Sequence, residues 1–157
     1  MSTKTEQTKL SLPDIPGSYY DRIMEARWHE SNGEVEDAVT IYQRLVARIS
    51  SLPERRRAPG SDLNYFLVAA TSDLAMIRAN QGDFEAAQSL CEQLQIWDPD
   101  DVDWWRQRLY TLLIDQGQVE EGLTGLKQLA DSEPGKFEHW NVLAAAAMGE
   151  RQFDLAE

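Results

Sequence analysis

Apolar positions along this chain recur at helical spacing in one segment after another, and short polar turns separate the segments. Tyr19, Ile23, Ala26 and Trp28 form the first apolar side, predicting a helix from Tyr19 to Ser31 with Ser18 as its cap. Asn32-Gly33 ends it. Val35, Ala38, Ile41, Tyr42, Leu45, Val46 and Ile49 then give a continuous stripe for a second helix starting near Glu34. Five further helices are predicted over 62–79, 84–97, 102–115, 119–132 and 137–148, and an eighth begins near Gln152. Asp100 or Asp101 is placed to cap the helix over 102–115. Residues 1–17 are polar and contain Pro13, Pro16 and Gly17, so they read as a flexible tail ahead of one domain over 18–157.

The turns themselves repeat. Gly82-Asp83-Phe84-Glu85-Ala86-Ala87 is followed by Pro99, twelve residues after Ala87. Gly117-Gln118-Val119-Glu120-Glu121-Gly122 lies 35 residues further on, and Pro134 again follows the small residue by twelve. Gly33 to Ala38 is an earlier copy, 49 residues before the first, and Phe153 follows Val119 by 34. A period of this length marks a repeated helical hairpin. In each copy glycine or glutamine opens the turn, and a small residue lets two helices approach closely. The spacing of 49 leaves about 15 residues more than one period between Ile49 and Leu63. Pro59-Gly60-Ser61 marks a turn there, and Ser61 is a good cap. Two lengthened helices around a short turn are expected, although Pro53 opposes an uninterrupted second helix.

On these residues the chain resembles the tetratricopeptide repeat family. Trp140 and Leu143 match the family's first-helix tryptophan and leucine, while Ala144 and Ala147 replace its glycine and tyrosine. Leu74 and Ala75 match the leucine and small residue of an earlier unit. Tyr42 takes the second-helix aromatic position after Ala38, with Cys91 and Leu126 in the equivalent places, and Pro99 and Pro134 close their units. The resemblance covers roughly residues 19–157 and rests on periodicity. It implies an all-α, right-handed superhelical solenoid of about four antiparallel helical hairpins, the last incomplete.

The resemblance also implies a concave groove lined by the first helix of each unit, where a peptide or protein partner binds. The positions that match are Tyr20, Met24 and Arg27, then Ala69, Ser72, Asp73 and Met76. Trp104, Gln107, Arg108 and Thr111 follow, and then Glu138, Asn141 and Ala145. Some members clamp a peptide's terminal carboxylate with basic and amide side chains. Only Arg27, Arg108 and Asn141 suit that task here, and Asp73 opposes it, so recognition through aromatic anchors is the better expectation. Trp104 and Trp105 cannot share a face, so Trp104 is either a groove anchor or interhelix packing.

Charge narrows the class of partner. The net charge is -12, which opposes nucleic-acid binding and contact with anionic membranes. Asp98, Asp100, Asp101 and Asp103 fall within a stretch without lysine or arginine, between Arg78 and Arg106. This acidic stretch is either a solvated face or a means of steering a basic partner. Arg55, Arg56 and Arg57 are too few for a nucleic-acid site.

Chemical motifs are sparse. Isolated glycines between helices do not make a phosphate loop. His29 and His139 lie 110 residues apart, each read as surface or partly packed, and Cys91 as a small core residue. No enzyme, cofactor or metal site is expected. One cysteine and no apolar run of spanning length indicate an intracellular, cytoplasmic protein. The short eighth helix leaves Phe153, Leu155 and Ala156 without a polar cap. The chain is therefore expected to continue past Glu157 or to pair with a second copy of itself. Interaction module and homo-oligomeric or scaffold region are the two functional expectations.

Overall fold

A computed structural model describes residues 16–156, with side chains described over 18–149. Residues 1–15 of the expected tail lie outside the described residues. Within that range the chain forms seven α-helices, and no strand. They are α1 (Pro16–Ser31), α2 (Val35–Ser50), α3 (Asp62–Asn80), α4 (Phe84–Trp97), α5 (Val102–Asp115), α6 (Val119–Ser132) and α7 (Phe137–Ala156). The helices fall into two compact bodies, one ending at Gln81 and one beginning at Gly82.

In the first body α2 packs against both α1 and α3, and α1 also touches α3. Tyr19, Tyr42, Leu45, Ile49 and Leu67 are completely buried at these contacts. In the second body α4 packs on α5, α5 on α6 and α6 on α7, with α5 also touching α7. Its buried residues include Cys91, Leu94, Trp105, Leu113, Leu126 and Leu129. The apolar stripes of the sequence are thus the packed faces, except that Trp28, placed on the first stripe, is 58% exposed. Turns at Gly33 and Gly117 place glycine at φ 75° and 93°, a conformation that a Cβ disfavours.

Four boundaries differ from expectation. Helix α1 opens at Pro16, before Ser18. Proline suits a first helical turn, since the N–H it lacks has no partner there. The second difference is the connection between α2 and α3. It is not a short turn between lengthened helices but a segment over 51–61 with one 3-10 turn, Glu54–Arg56. Pro53 sits at ψ 141° and turns the chain out of the helix. Leu52 is buried and Arg57 Nε donates to its carbonyl at 3.0 Å, so the segment is anchored. Ser61 caps α3 as expected, accepting from the Asn64 N–H at 3.2 Å.

Third, α7 runs unbroken through Gly149 to Ala156, so no separate eighth helix forms. Gly149 is not at positive φ, so the backbone there does not leave the helix. Fourth, neither Asp100 nor Asp101 caps α5 through its side chain. Pro99–Asp101 forms a 3-10 turn that delivers the chain into α5, and Asp98 accepts from Trp105 Nε1 at 2.9 Å.

Candidate interaction surfaces on the first helices

In the first body the expected partner-binding residues lie on α1 and α3. Tyr20, Met24 and Met76 are 52%, 44% and 50% exposed. Between α1 and α3 runs a polar network. Arg27 Nε pairs with Asp73 Oδ2 at 2.9 Å. The buried Tyr42, from α2, donates its hydroxyl toward Glu30 Oε2 at 2.6 Å and Asp73 Oδ2 at 3.1 Å. Burial and then the Glu30 hydrogen bond push the Tyr42 phenol above its ordinary range, so it remains a donor. Asp73 likewise raises the Arg27 guanidinium. Arg27 is therefore committed to Asp73 in this arrangement. The network was not expected from the sequence; Glu30 and Tyr42 are twelve residues apart and belong to different helices. Ser72 and Ala69 are half-buried on α3.

In the second body Trp104 is 48% exposed while Trp105 is buried, which settles their opposite facing. The Arg108 guanidinium carbon lies 5.7 Å from the Trp104 ring centroid, within reach of a cation–π contact. Spacing of four on one helix produces this stacking. Gln107 and Thr111 are half-buried and engaged within the protein. Gln107 contacts His139 Nδ1, and Thr111 Oγ1 donates to the Gln107 carbonyl at 2.8 Å. Glu138, Asn141 and Ala145 are exposed on α7.

The acidic stretch does not act as four equivalent charges. Asp98 is part-buried against Trp105, and burial raises its carboxyl above the ordinary range despite that hydrogen bond. Asp103 lies 3.8 Å from Arg106 and 3.9 Å from Lys136. Asp100 and Asp101 are the exposed pair.

Two other features were not foreseen. A cleft of about 410 Å³ is lined by Arg22, Glu25, His29, Asp37 and Arg44, on α1 and α2. None of the expected partner-binding residues lines it. His139 is buried at 4% exposure, deeper than the sequence indicated, and two carboxylates approach it. Cys91 is a buried core residue, and burial pushes its thiol up to about 11.

Residues 80–146 match the family model described as tetratricopeptide repeat. That segment runs from the end of α3 to the middle of α7. Among curated proteins, none matches this chain by sequence. The match and the paired helices establish a tetratricopeptide-type repeat within an all-α helical-repeat fold. Such folds generally mediate protein–protein interaction through a concave groove and serve as non-catalytic scaffolds. Among the described residues no helix is long and apolar enough to cross a membrane.

Proposed function

We propose that this protein is an interaction module, cytoplasmic, that binds a peptide or protein partner through the first helices of its hairpins. One observation carries the reading. Large apolar side chains at matched first-helix positions, Tyr20, Met24, Met76 and Trp104, are held about half exposed on packed helices. Rigid aromatic and sulfur-bearing anchors of this kind supply contact area at low ordering cost. Arg108 against Trp104, with Asn141 and Glu138 on the neighbouring first helix, adds polar complementarity. The net charge of -12 favours a basic partner. Asp100 and Asp101, being exposed, are the residues of the acidic stretch available to steer it.

Affinity capture from the source cell, with wild type and a Trp104→Ala/Arg108→Ala variant side by side, tests the assignment. Proteins retained by wild type and lost by the folded variant support it. Identical retention removes Trp104 and Arg108 from the binding surface. For a retained basic partner, the association rate is expected to fall with rising salt. Asp100→Asn/Asp101→Asn flattens that fall, and an unchanged slope assigns the two aspartates to solubility alone.

A second reading, self-association, draws on α7. Phe137, Trp140 and Met148 are 79%, 37% and 61% exposed on that one helix. Light scattering across a concentration series separates the two. A concentration-independent monomer rejects assembly through α7.

A further inference from the structure

We propose that Asp103, Glu133 and His139 form a divalent metal site, best suited to Zn²⁺, that ties α5 to α7. The sequence gives no hint of it, since the three residues are spread over 36 positions. The fold brings one ligand atom from each to within 4.8 Å of the others. Asp103 lies in the first turn of α5, Glu133 follows α6, and His139 lies in the first turn of α7.

The buried imidazole sets this group apart from an ordinary acidic cluster. His139 is 4% exposed, and its Nε2 has no hydrogen-bond partner. That atom faces Glu133 Oε2 at 3.9 Å, too far for a hydrogen bond. An unpaired buried nitrogen costs stability unless something fills the gap. On the other side of the ring, Nδ1 contacts the Gln107 amide. An amide can present either oxygen or nitrogen in the same space. With its oxygen toward the ring, Nδ1–H donates to Gln107 and the Nε2 lone pair points at the carboxylates. That is the arrangement in which protein imidazoles bind metals.

Lys136 now occupies the approach. Its ammonium lies 2.5 Å from Glu133 Oε2 and 3.9 Å from Asp103 Oδ2, and its side chain is 56% exposed. Lys136 balances the two carboxylates but makes no hydrogen bond to the imidazole, whose Nε2 is left without a partner. A divalent ion satisfies all three groups at once, and the exposed lysine can swing into water. Ligand atoms about 3.3 Å apart are needed for tetrahedral Zn²⁺. Rotation of the two partly exposed carboxylates closes the difference. One imidazole with two carboxylates leaves a fourth position for water. Because Gln107 is also an expected partner-binding residue, the metal would fix a side chain on the proposed surface.

The test is calorimetric titration of Zn²⁺ into the chelator-treated full chain, repeated for four variants. Wild type is expected to bind one ion at micromolar affinity and to melt at higher temperature when loaded. His139→Ala and Glu133→Gln are expected to weaken binding at least about tenfold. Glu133→Gln guards against a folding defect at the buried histidine. Lys136→Met is expected to tighten binding about threefold or more, because it removes the competing cation. His29→Ala, at the other group of potential ligands, His29, Glu34 and Asp37, is expected to change nothing. Absence of stoichiometric binding overturns the proposal. So does unchanged affinity in both Glu133→Gln and Lys136→Met, or loss confined to His29→Ala.

Discussion

Gly122 offers a sharp test of how closely the repeat hairpin packs. It stands on α6 at the small-residue position of the repeat and faces α5. A Cβ placed on it meets the Tyr110 carbonyl oxygen at 2.6 Å and Ile114 Cγ1 at 2.5 Å. Ordinary contacts begin near 3.4 Å, so the backbone of α5 must retreat by about 0.8 Å. Overpacking of this kind costs about 1–3 kcal/mol, and a backbone atom places it in the upper part of that range. Alanine returns about 1 kcal/mol of helix propensity. Gly122→Ala is therefore expected to destabilise by about 1–2 kcal/mol. Gly149, on α7, has open space around its Cβ and an ordinary helical backbone, so Gly149→Ala gains propensity with no clash. Four of the five tryptophans lie beyond Gly82, so tryptophan fluorescence reports mainly the second body. In urea, the Gly122→Ala midpoint is expected to fall by about 0.5–1 M, while Gly149→Ala is unchanged or higher. A Gly122→Ala midpoint at or above wild type refutes the close-packing argument.

Three other outcomes follow from local contacts. Tyr42→Phe removes the donor shared by Glu30 and Asp73 and is expected to cost about 1.5 kcal/mol. A melting shift of about 3–6 °C follows, and an unchanged melt would show that water serves the carboxylates equally well. Cys91, with its thiol pushed up to about 11 and buried, is expected to resist alkylation at pH 8 until the chain unfolds in urea. Rapid labelling of the native protein contradicts its placement in the core. The Asp98 carboxyl is raised, so its contribution to stability is greatest below its unfolded value and is lost as pH rises through the folded one. Asp98→Asn keeps an oxygen for Trp105 and is expected to remove that decline from the stability–pH profile above about pH 4, where an unperturbed Asp titrates. A decline that persists in the variant assigns it to another carboxylate.

The helices over 84–97, 102–115 and 119–132 were legible to the residue, because a glycine turn at one end and a proline at the other bracket apolar stripes of a single period. The extra residues before α3 were less so. Their flanks favour helix while Pro53 forbids it, and the proline prevails because it removes a backbone donor outright. At α7 the turn pattern was present in sequence, but Gly149 keeps an ordinary helical backbone and the helix continues through it. Opposite facing of Trp104 and Trp105 followed from helical geometry alone. The Arg27–Asp73–Tyr42–Glu30 network and the surroundings of His139 did not. They depend on which helix packs on which, and no local spacing encodes that.

The central claim is that exposed first-helix side chains bind a partner, and it can be measured without knowing that partner. A random peptide library is selected on the immobilised full chain, and the strongest peptide is titrated by fluorescence anisotropy into wild type and Trp104→Ala/Arg108→Ala. The account predicts enrichment of basic peptides with an apolar anchor. It also predicts at least about tenfold weaker binding to the double variant, with an unchanged melting temperature. Equal affinity for the two proteins, or selection of peptides that bind only through the α1–α2 cleft and are lost on Arg44→Ala, would contradict it.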